Sequence, residues 1–159
     1  MNPDPDPTRV LVGVDGSASS VEALRYADGV SKALGRPLEV ITTWVSPMSG
    51  GYYSRGEWPP EDDAQAAQRD AIATVFGDTP PPRLSARVVP GPAASTLIEE
   101  SKTAGMLVLG SRGHGGFAGM MLGSVSSACA HHAHCPVLIV RGPAPDGAAA
   151  SISAQQDAG

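Results

Sequence analysis

Apolar and polar residues follow one another along this chain in blocks that predict alternating strands and helices. Residues 9–15 hold an aliphatic run typical of a buried strand: Val10, Leu11, Val12 and Val14. Residues 19–34 then place apolar side chains at helical spacing, at Val21, Leu24, Ala27, Val30 and Leu34. Gly35 is a suitable end for that helix, because glycine adopts the left-handed conformation cheaply.

The same alternation continues to residue 141. Further strands are predicted over residues 38–45, 84–89, 106–109 and 136–141, and further helices over residues 61–76, 93–103 and 124–132. This succession indicates βαβ units and a parallel sheet with helices on both faces. Residues 46–60 are predicted as a long loop, whose Tyr52, Tyr53 and Trp58 cover either the site or a partner.

Length and charge favour a single-domain protein and argue against a nucleic-acid-binding or membrane-spanning one. The 159 residues predict one domain over residues 9–141, between disordered tails at 1–8 and 142–159 that are rich in Pro, Gly, Ala and Asp. The domain carries 11 basic and 12 acidic side chains, so no basic patch suggests nucleic acid. No apolar run approaches the roughly 20 residues of a membrane span, and the start does not resemble a secretory signal. We therefore expect a cytoplasmic protein in which Cys129 and Cys135 are reduced thiols.

A glycine-rich loop after the fourth predicted strand carries the strongest chemical signal. Leu109-Gly110-Ser111-Arg112-Gly113 is followed, after nine intervening residues, by Gly123-Ser124 at the start of a predicted helix. Glycines let backbone N–H groups approach a ligand closely, and a helix start favours an anion such as phosphate. The loop contains no lysine, which argues against a Walker A motif, and it matches neither the dinucleotide fingerprint nor the esterase elbow.

In a parallel sheet, ligands bind outside the carboxyl ends of the strands. Residues 13–16, Val45 and residues 110–113 each follow a predicted strand. Three separated segments are therefore expected to converge on one crevice.

These residues resemble the nucleotide-binding branch of the universal stress protein family. The resemblance covers residues 9–141 and is carried by residues 10–17, the Gly91-Pro92-Ala93 turn, the glycine loop with Gly123-Ser124-Val125-Ser126, and residues 135–140. It implies a Rossmann-like, adenine nucleotide alpha hydrolase-like fold with strand order 3-2-1-4-5, ATP with Mg²⁺ in the crevice, and a homodimer. Strand five (136–141) would end that sheet, so its apolar edge is the expected dimer contact.

The resemblance also implies a role for each site residue. Gly13, Val14 and Asp15 would line the adenosine side, with Asp15 as a hydrogen-bond partner of adenine or ribose. Val45 would contact the adenine ring. Ribose and phosphates would lie over the loop that follows Leu109, on Gly110, Gly113, Gly123, Ser124, Val125 and Ser126, with Ser111 and Arg112 adjacent. No catalytic residue or protein-held metal is expected.

Several residues have a simpler structural interpretation. Asp15 suits a helix cap or turn as well as a ligand contact, Arg112 either neutralises phosphate or is solvated, and Ser124 and Ser126 either bind phosphates or cap the last helix. Met120, Met121 and Leu122 are expected to anchor the glycine loop rather than form a partner surface.

The His and Cys residues at 129–135 are expected to be structural rather than a metal site, because their spacing spans a helix and a turn. Two positions depart from the family pattern. Gly105 stands where many relatives carry Asp, which affects local packing, and Trp44 stands where His is frequent and would stack on adenine or fill the core.

The sequence therefore predicts an ATP-binding universal stress protein that acts by binding and conformational signalling. The alternatives are a slow ATP hydrolase or phosphotransferase using the same crevice, and an interaction module that binds no nucleotide or that binds cyclic AMP or AMP. Any turnover is expected to be slow, because no residue is positioned as a catalytic base.

Overall fold

The computed structural model describes residues 4–46, 60–113 and 122–143. Within these ranges strands and helices alternate as the sequence predicts. They are β1 (Val10–Gly13), α1 (Ala18–Leu34), β2 (Leu38–Trp44), α2 (Pro60–Phe76), β3 (Leu84–Pro90), α3 (Ala93–Ser101), β4 (Met106–Gly110), α4 (Ser124–His132) and β5 (Val137–Val140).

The five strands form one parallel sheet in the order β3-β2-β1-β4-β5, which confirms the predicted fold. The central strand β1 pairs on one side with β2, where Val12 is opposite Val40, and on the other with β4, where Val12 is opposite Val108. This position explains the uninterrupted aliphatic run in β1, since a central parallel strand is covered on both faces.

Helices cover both faces of the sheet, and the alternation of side chains along β1 assigns each face. Val10 and Val12 pack in one cluster with residues of α1 and α2, such as Leu24 and Ala71. Leu11 points the other way and packs in a second cluster with Leu97 of α3. The sheet is therefore the middle of three layers.

Local sequence explains where the helices begin and end. The Ser17 side chain accepts a hydrogen bond from the Ser20 N–H at 3.4 Å and caps α1, and Gly35 ends that helix in the left-handed conformation with φ 63°. Helix α2 has Glu61, Asp62 and Asp63 in its first turn, where acidic side chains complement the helix dipole.

The structure changes some details of the predicted elements. Leu34, predicted on the buried face of α1, is 49% exposed, because it is the last residue of the helix and extends beyond the sheet. Strand β5 is limited to Val137–Val140, and α3 ends at Ser101 instead of residue 103. The predicted loop residues 47–59, with Tyr52, Tyr53 and Trp58, lie outside the described residues, as do Met120 and Met121.

The amino end of the sheet is closed by the chain segment that precedes β1. The Asp6 carboxylate accepts hydrogen bonds from the N–H of Thr8 at 2.8 Å and from its hydroxyl at 2.6 Å. A Cβ placed on Gly105 would lie 2.7 Å from the Thr8 carbonyl oxygen. The departure at Gly105 is thus explained by packing, because a side chain there would displace this segment. The extent of the two tails stays a prediction, since residues 1–3 and 144–159 lie outside the described ranges.

Four charged side chains form an ion-pair network at this same end of the sheet. Arg9 and Arg87 each contact both Glu39 and Glu100, with Arg9 Nη2 3.1 Å and Arg87 Nη2 2.7 Å from the same Glu100 oxygen. The Arg9 side chain is 3% exposed and that of Glu39 is 9% exposed. The network joins Arg9, which precedes β1, to β2, β3 and α3. Burial opposes the charged form of Arg87, but hydrogen bonds to both glutamates outweigh it and raise the pKa of Arg87.

None of the helices in the part of the chain that the structure describes is both long enough and apolar enough to cross a membrane.

Candidate functional site

A cavity of about 370 Å³ opens at the carboxyl end of the sheet. This volume lies in the range typical of small-molecule sites. Among the described residues its wall consists of Gly13, Val14, Asp15, Ser17, Ser20, Thr43, Ala93, Leu97, Leu109, Gly110, Arg112, Gly113, Leu122, Gly123, Ser124, Val125 and Ser126. The segments that follow β1 and β4 therefore meet there, together with the starts of α1, α3 and α4.

Eleven of the thirteen predicted site residues lie in this wall. The two that do not are Val45 and Ser111. Val45 follows β2 and is 54% exposed, whereas Ser111 is 8% exposed and packs into the loop. Whether the eleven contact a nucleotide stays a prediction.

Thr43 and Leu97 are wall residues that the sequence interpretation missed. Successive side chains of a strand point to opposite faces, so Thr43 faces the cavity while Trp44 packs on the other face of β2. The Trp44 Nε1 atom is buried and has no hydrogen-bond partner among the described residues. Side chains two residues apart on a strand share a face, so the expected contact at Val45 could have indicated Thr43 as well.

Asp15 forms a turn at the start of α1. Its Oδ1 accepts a hydrogen bond from the Ser17 N–H at 2.9 Å, and its own N–H donates to the Ser20 hydroxyl at 3.3 Å. The cap of α1 is Ser17, so Asp15 is a turn carboxylate and not the helix cap. Its Oδ2 lies 2.7 Å from the position that a Cβ on Gly113 would occupy, which places the carboxylate across the cavity mouth beside the glycine loop.

The glycine loop packs against α1 with no space for side chains at its first residue. A Cβ on Gly110 would lie 2.6 Å from the carbonyl carbon of Ser19 and 2.8 Å from its oxygen. Gly110 is thus required by the close approach of two backbones, whereas the neighbour of Gly113 among the described residues is a side-chain carboxylate, that of Asp15. A side chain at Gly110 would therefore collide with backbone, whereas one at Gly113 would collide with a side chain.

Helix α4 begins at the cavity without a side-chain cap. Its N-cap is Gly123, with φ −72° and no side-chain cap hydrogen bond. The Ser126 hydroxyl, 3% exposed, donates instead to the carbonyls of Ser111 at 3.0 Å and Gly123 at 3.1 Å. The Ser126 side chain thus holds the loop against the helix, and no side-chain cap at Gly123 satisfies the N–H groups of the first turn of α4.

The Cys and His side chains at 129–135 lie in different surroundings, some buried and some exposed. Cys129 is fully buried in α4 against the sheet, while His131, His132 and His134 are exposed. Burial raises the pKa of the Cys129 thiol to about 11 and also raises that of Cys135. Across residues 4–46, 60–113 and 122–143, no three His, Cys, Asp or Glu side chains are grouped so that they could hold a metal ion. The structural interpretation of this cluster stays a prediction.

A second cavity, of about 780 Å³, opens at the opposite end of the sheet beside the ion-pair network. Its wall contains Arg9, Glu39, Arg87 and Glu100, which already pair with one another. The cavity at the carboxyl end is therefore the better candidate site, because it combines an uncapped helix start with glycines that allow close approach.

Comparison with known proteins agrees with this architecture. Residues 7–141 match the model of the universal stress protein family. The chain belongs to that family. A universal stress protein of Mycolicibacterium smegmatis is 34% identical over 140 residues, which cover 83% of this chain and 45% of the relative. The chain spans about half the length of the curated universal stress proteins it matches.

Solved universal stress proteins share the fold. UspA from Lactobacillus plantarum superposes with a TM-score of 0.69 at 22% identity, covering 87% of this chain and all of that one. A universal stress protein in complex with cAMP superposes with a TM-score of 0.64 at 29% identity, covering 86% of this chain and 98% of that one. The family and the nucleotide-binding type of fold are thus established for this chain.

Proposed function

We propose that this universal stress protein binds an adenine nucleotide in the cavity at the carboxyl end of the sheet, with ATP as its ligand, and acts as a nucleotide-dependent regulator. The observation that carries the proposal is the meeting of three elements in one cavity: the glycine loop, the uncapped start of α4 and the Asp15 carboxylate. Each element is unspecific alone, but together they suit a ligand with an anionic end and a polar sugar.

The phosphates would lie over the loop and the start of α4. The backbone N–H groups of the first helical turn and the helix dipole favour negative charge there. Gly113 and Gly123 allow phosphate oxygens to approach the backbone, and a Cβ on Gly123 would meet nothing closer than 3.5 Å. Arg112, exposed on the same loop, supplies positive charge.

The adenosine would occupy the part of the cavity next to β1 and α3. Val14, Leu97 and Leu109 provide apolar surface there, and Thr43 provides a hydroxyl group. Asp15 would hydrogen-bond to the sugar or base from the opposite side. A mixed wall of this kind is typical of nucleotide sites, in which a few polar groups orient a largely apolar contact.

Mg²⁺ would accompany the phosphates. Magnesium in nucleotide sites is held by phosphate oxygens with one or two carboxylates, and Asp15 is the one carboxylate that the described wall supplies. The residues present thus fit an ion that arrives with the nucleotide.

Cyclic AMP is the second candidate ligand, because the solved relative at 29% identity was crystallised with it. Isothermal calorimetry of the full chain with ATP, AMP, cAMP and GTP, with and without Mg²⁺, tests the choice. We expect the tightest binding for ATP and a gain with Mg²⁺. Tighter binding of cAMP than ATP would assign the ligand to the second candidate, and binding of none of the four would overturn the proposal.

Signalling by binding is distinguished from catalysis by multiple-turnover phosphate release. The one carboxylate in the described wall, Asp15, already accepts the Ser17 N–H, which leaves it poorly placed as a base for an attacking water. We expect ATP to be retained over many minutes. Sustained phosphate release, or transfer of phosphate to the chain, would favour the slow hydrolase or phosphotransferase instead.

We also propose a homodimer that forms through β5. This strand lies at one edge of the sheet and consists of Val137, Leu138, Ile139 and Val140, of which the first three are half-buried in the single chain. An apolar edge strand is an aggregation hazard unless it is covered. Pairing of β5 with β5 of a second copy across a two-fold axis would satisfy the unpaired backbone N–H and C=O groups of both edges. Light scattering of the wild-type protein at micromolar concentration should give twice the mass of one chain. Ile139→Pro should give a monomer or insoluble protein. A wild-type protein that is monomeric would refute the dimer.

We place this function in the cytoplasm. Both cysteines are free, as is usual where thiols are kept reduced. Fractionation of cells that express the chain should recover it with cytoplasmic markers, and recovery with the membrane or exported fraction would contradict this placement.

A further inference from the structure

We infer that Ser19 is a positioning residue that holds the glycine loop in its anion-binding conformation. Ser19 lies in the first turn of α1 and is not among the described residues that line the cavity. It therefore acts on a ligand only through the loop. This inference rests on the proposed nucleotide site and concerns how that site is kept in shape.

The Ser19 hydroxyl donates a hydrogen bond to the Arg112 carbonyl oxygen, 93 residues further along the chain. The Ser19 residue is 7% exposed whereas Arg112 is exposed, so the bond is half-buried, with its donor on the buried side. A buried hydroxyl without its partner would be costly, which makes this pairing part of the folded arrangement and not an incidental surface contact.

Ser126 forms the matching contact from the other face of the sheet. Its hydroxyl donates to the Ser111 carbonyl at 3.0 Å, and the Gly123 N–H donates to the same oxygen at 2.7 Å. Two successive carbonyls of the loop, those of Ser111 and Arg112, are thus each held by a buried serine. One serine belongs to α4 and the other to α1, so both helices fix the loop.

Holding these carbonyls determines where the next N–H groups point. In a planar trans peptide the C=O of one residue and the N–H of the next point in opposite directions. The bond from Ser19 to the Arg112 carbonyl therefore fixes the direction of the Gly113 N–H, away from α1. The backbone of Ser19 also packs where Gly110 has no side chain, so the hydroxyl and the close packing act on the same short loop.

The test compares Ser19→Ala with Ser31→Ala in the full chain. Ser31 is a matched control, because it is a buried serine of the same helix whose hydroxyl donates to a backbone carbonyl, that of Arg36, at 2.6 Å. It lies at the far end of α1 from the cavity. Both variants lose a hydrogen bond from a buried serine to a backbone carbonyl, and Ser31→Ala also loses the one that its hydroxyl accepts from Arg83 Nε at 2.7 Å. Only Ser19→Ala loses a contact with the loop.

Binding of ATP and of adenosine is measured by calorimetry, and hydrogen exchange is followed in peptides that contain residues 110–113. Loss of one hydrogen bond that orders the phosphate end predicts about fivefold weaker ATP binding for Ser19→Ala. Adenosine binding should be unchanged, and amide exchange in the loop should be faster. Ser31→Ala should lower the melting temperature and leave both affinities and the loop exchange as in the wild type.

The inference is overturned if Ser19→Ala binds ATP as tightly as the wild type, or if it weakens ATP and adenosine equally. It is also overturned if Ser31→Ala weakens ATP to the same extent, because the effect would then be general destabilisation. Failure of the wild-type chain to bind ATP is a separate result, which refutes the proposed function and with it the role of Ser19. Unchanged ATP binding in Ser19→Ala alone refutes only the role of Ser19.

Discussion

Replacing Gly113 with alanine should weaken nucleotide binding while leaving the fold intact. The added Cβ would lie 2.7 Å from Asp15 Oδ2 and 3.9 Å from its Cγ, and, its chain neighbours aside, no other atom of residues 4–46, 60–113 and 122–143 lies within 4 Å of it. Asp15 is exposed, and a small rotation of its carboxylate moves Oδ2 while Oδ1 keeps the hydrogen bond from the Ser17 N–H, so the cost is small. The free energy of unfolding should change by no more than about 0.5 kcal/mol, as for most surface substitutions.

The loss of affinity should be much larger. Displacing Asp15 removes a charged hydrogen-bonding group from the ligand, which is worth about 1.5–3 kcal/mol. This corresponds to about 10- to 150-fold weaker binding. The methyl group also keeps phosphate oxygens away from the loop backbone, so both effects act in the same direction.

Two other glycines provide comparisons. Gly110→Ala would force a Cβ to within 2.6 Å of the Ser19 backbone, so it should cost about 1–3 kcal/mol of stability as an overpacked site. Gly29→Ala lies in the middle of α1 with nothing within 4 Å of the added Cβ. It should stabilise the protein by about 0.5–1 kcal/mol, because alanine favours helix more than glycine does.

Urea unfolding of the ligand-free proteins and calorimetric titration with ATP measure the two quantities separately. We expect only Gly113→Ala to lose affinity without losing stability. Wild-type affinity in a folded Gly113→Ala protein would refute the placement of the phosphates beside this loop. Equal losses of stability in Gly113→Ala and Gly110→Ala would refute the argument from Asp15 flexibility.

Three further changes test other parts of the structure. Asp15→Asn keeps an oxygen that accepts the Ser17 N–H but removes the negative charge. The affinity for ATP, measured by calorimetry, should therefore fall while the melting temperature stays unchanged. A lower melting temperature with intact affinity would restrict Asp15 to its role in the turn. Arg9→Ala removes one of the two guanidinium partners of the buried Glu39 carboxylate and leaves Arg87 as the other, so it should cost about 1.5–3 kcal/mol in urea unfolding. Arg25→Ala, in an exposed pair, should cost about 0–1 kcal/mol, and equal costs would contradict the assigned burial. In the folded protein the pKa of the Cys129 thiol is raised to about 11, so the unfolded chain loses the thiol proton at lower pH than the folded chain does. The free energy of unfolding should therefore fall as pH rises from about 9 to about 11, and it should fall less steeply in Cys129→Ala. Identical pH profiles of the two proteins would refute the raised pKa.

The sequence alone determined the order and type of the elements. The aliphatic run of β1 and the glycines that end α1 and α2 are local signals, because burial on both faces and left-handed turns each select particular residues. Family resemblance added the strand order, and with the glycine loop it placed eight of the seventeen described wall residues. Such features are readable because each depends on residues close together in the chain.

Only the tertiary structure decided which side chains face the cavity. Thr43 rather than Val45 lines it: the period-two count puts both on one face, but β2 ends at Trp44, and Val45, beyond the last paired residue, is 54% exposed. The contact between Ser19 and the Arg112 carbonyl, and the network of Arg9 with Glu39 and Glu100, join residues more than 29 positions apart. Contacts of this range have no periodic signature in the sequence, because they depend on how α1 and α3 pack against the folded sheet.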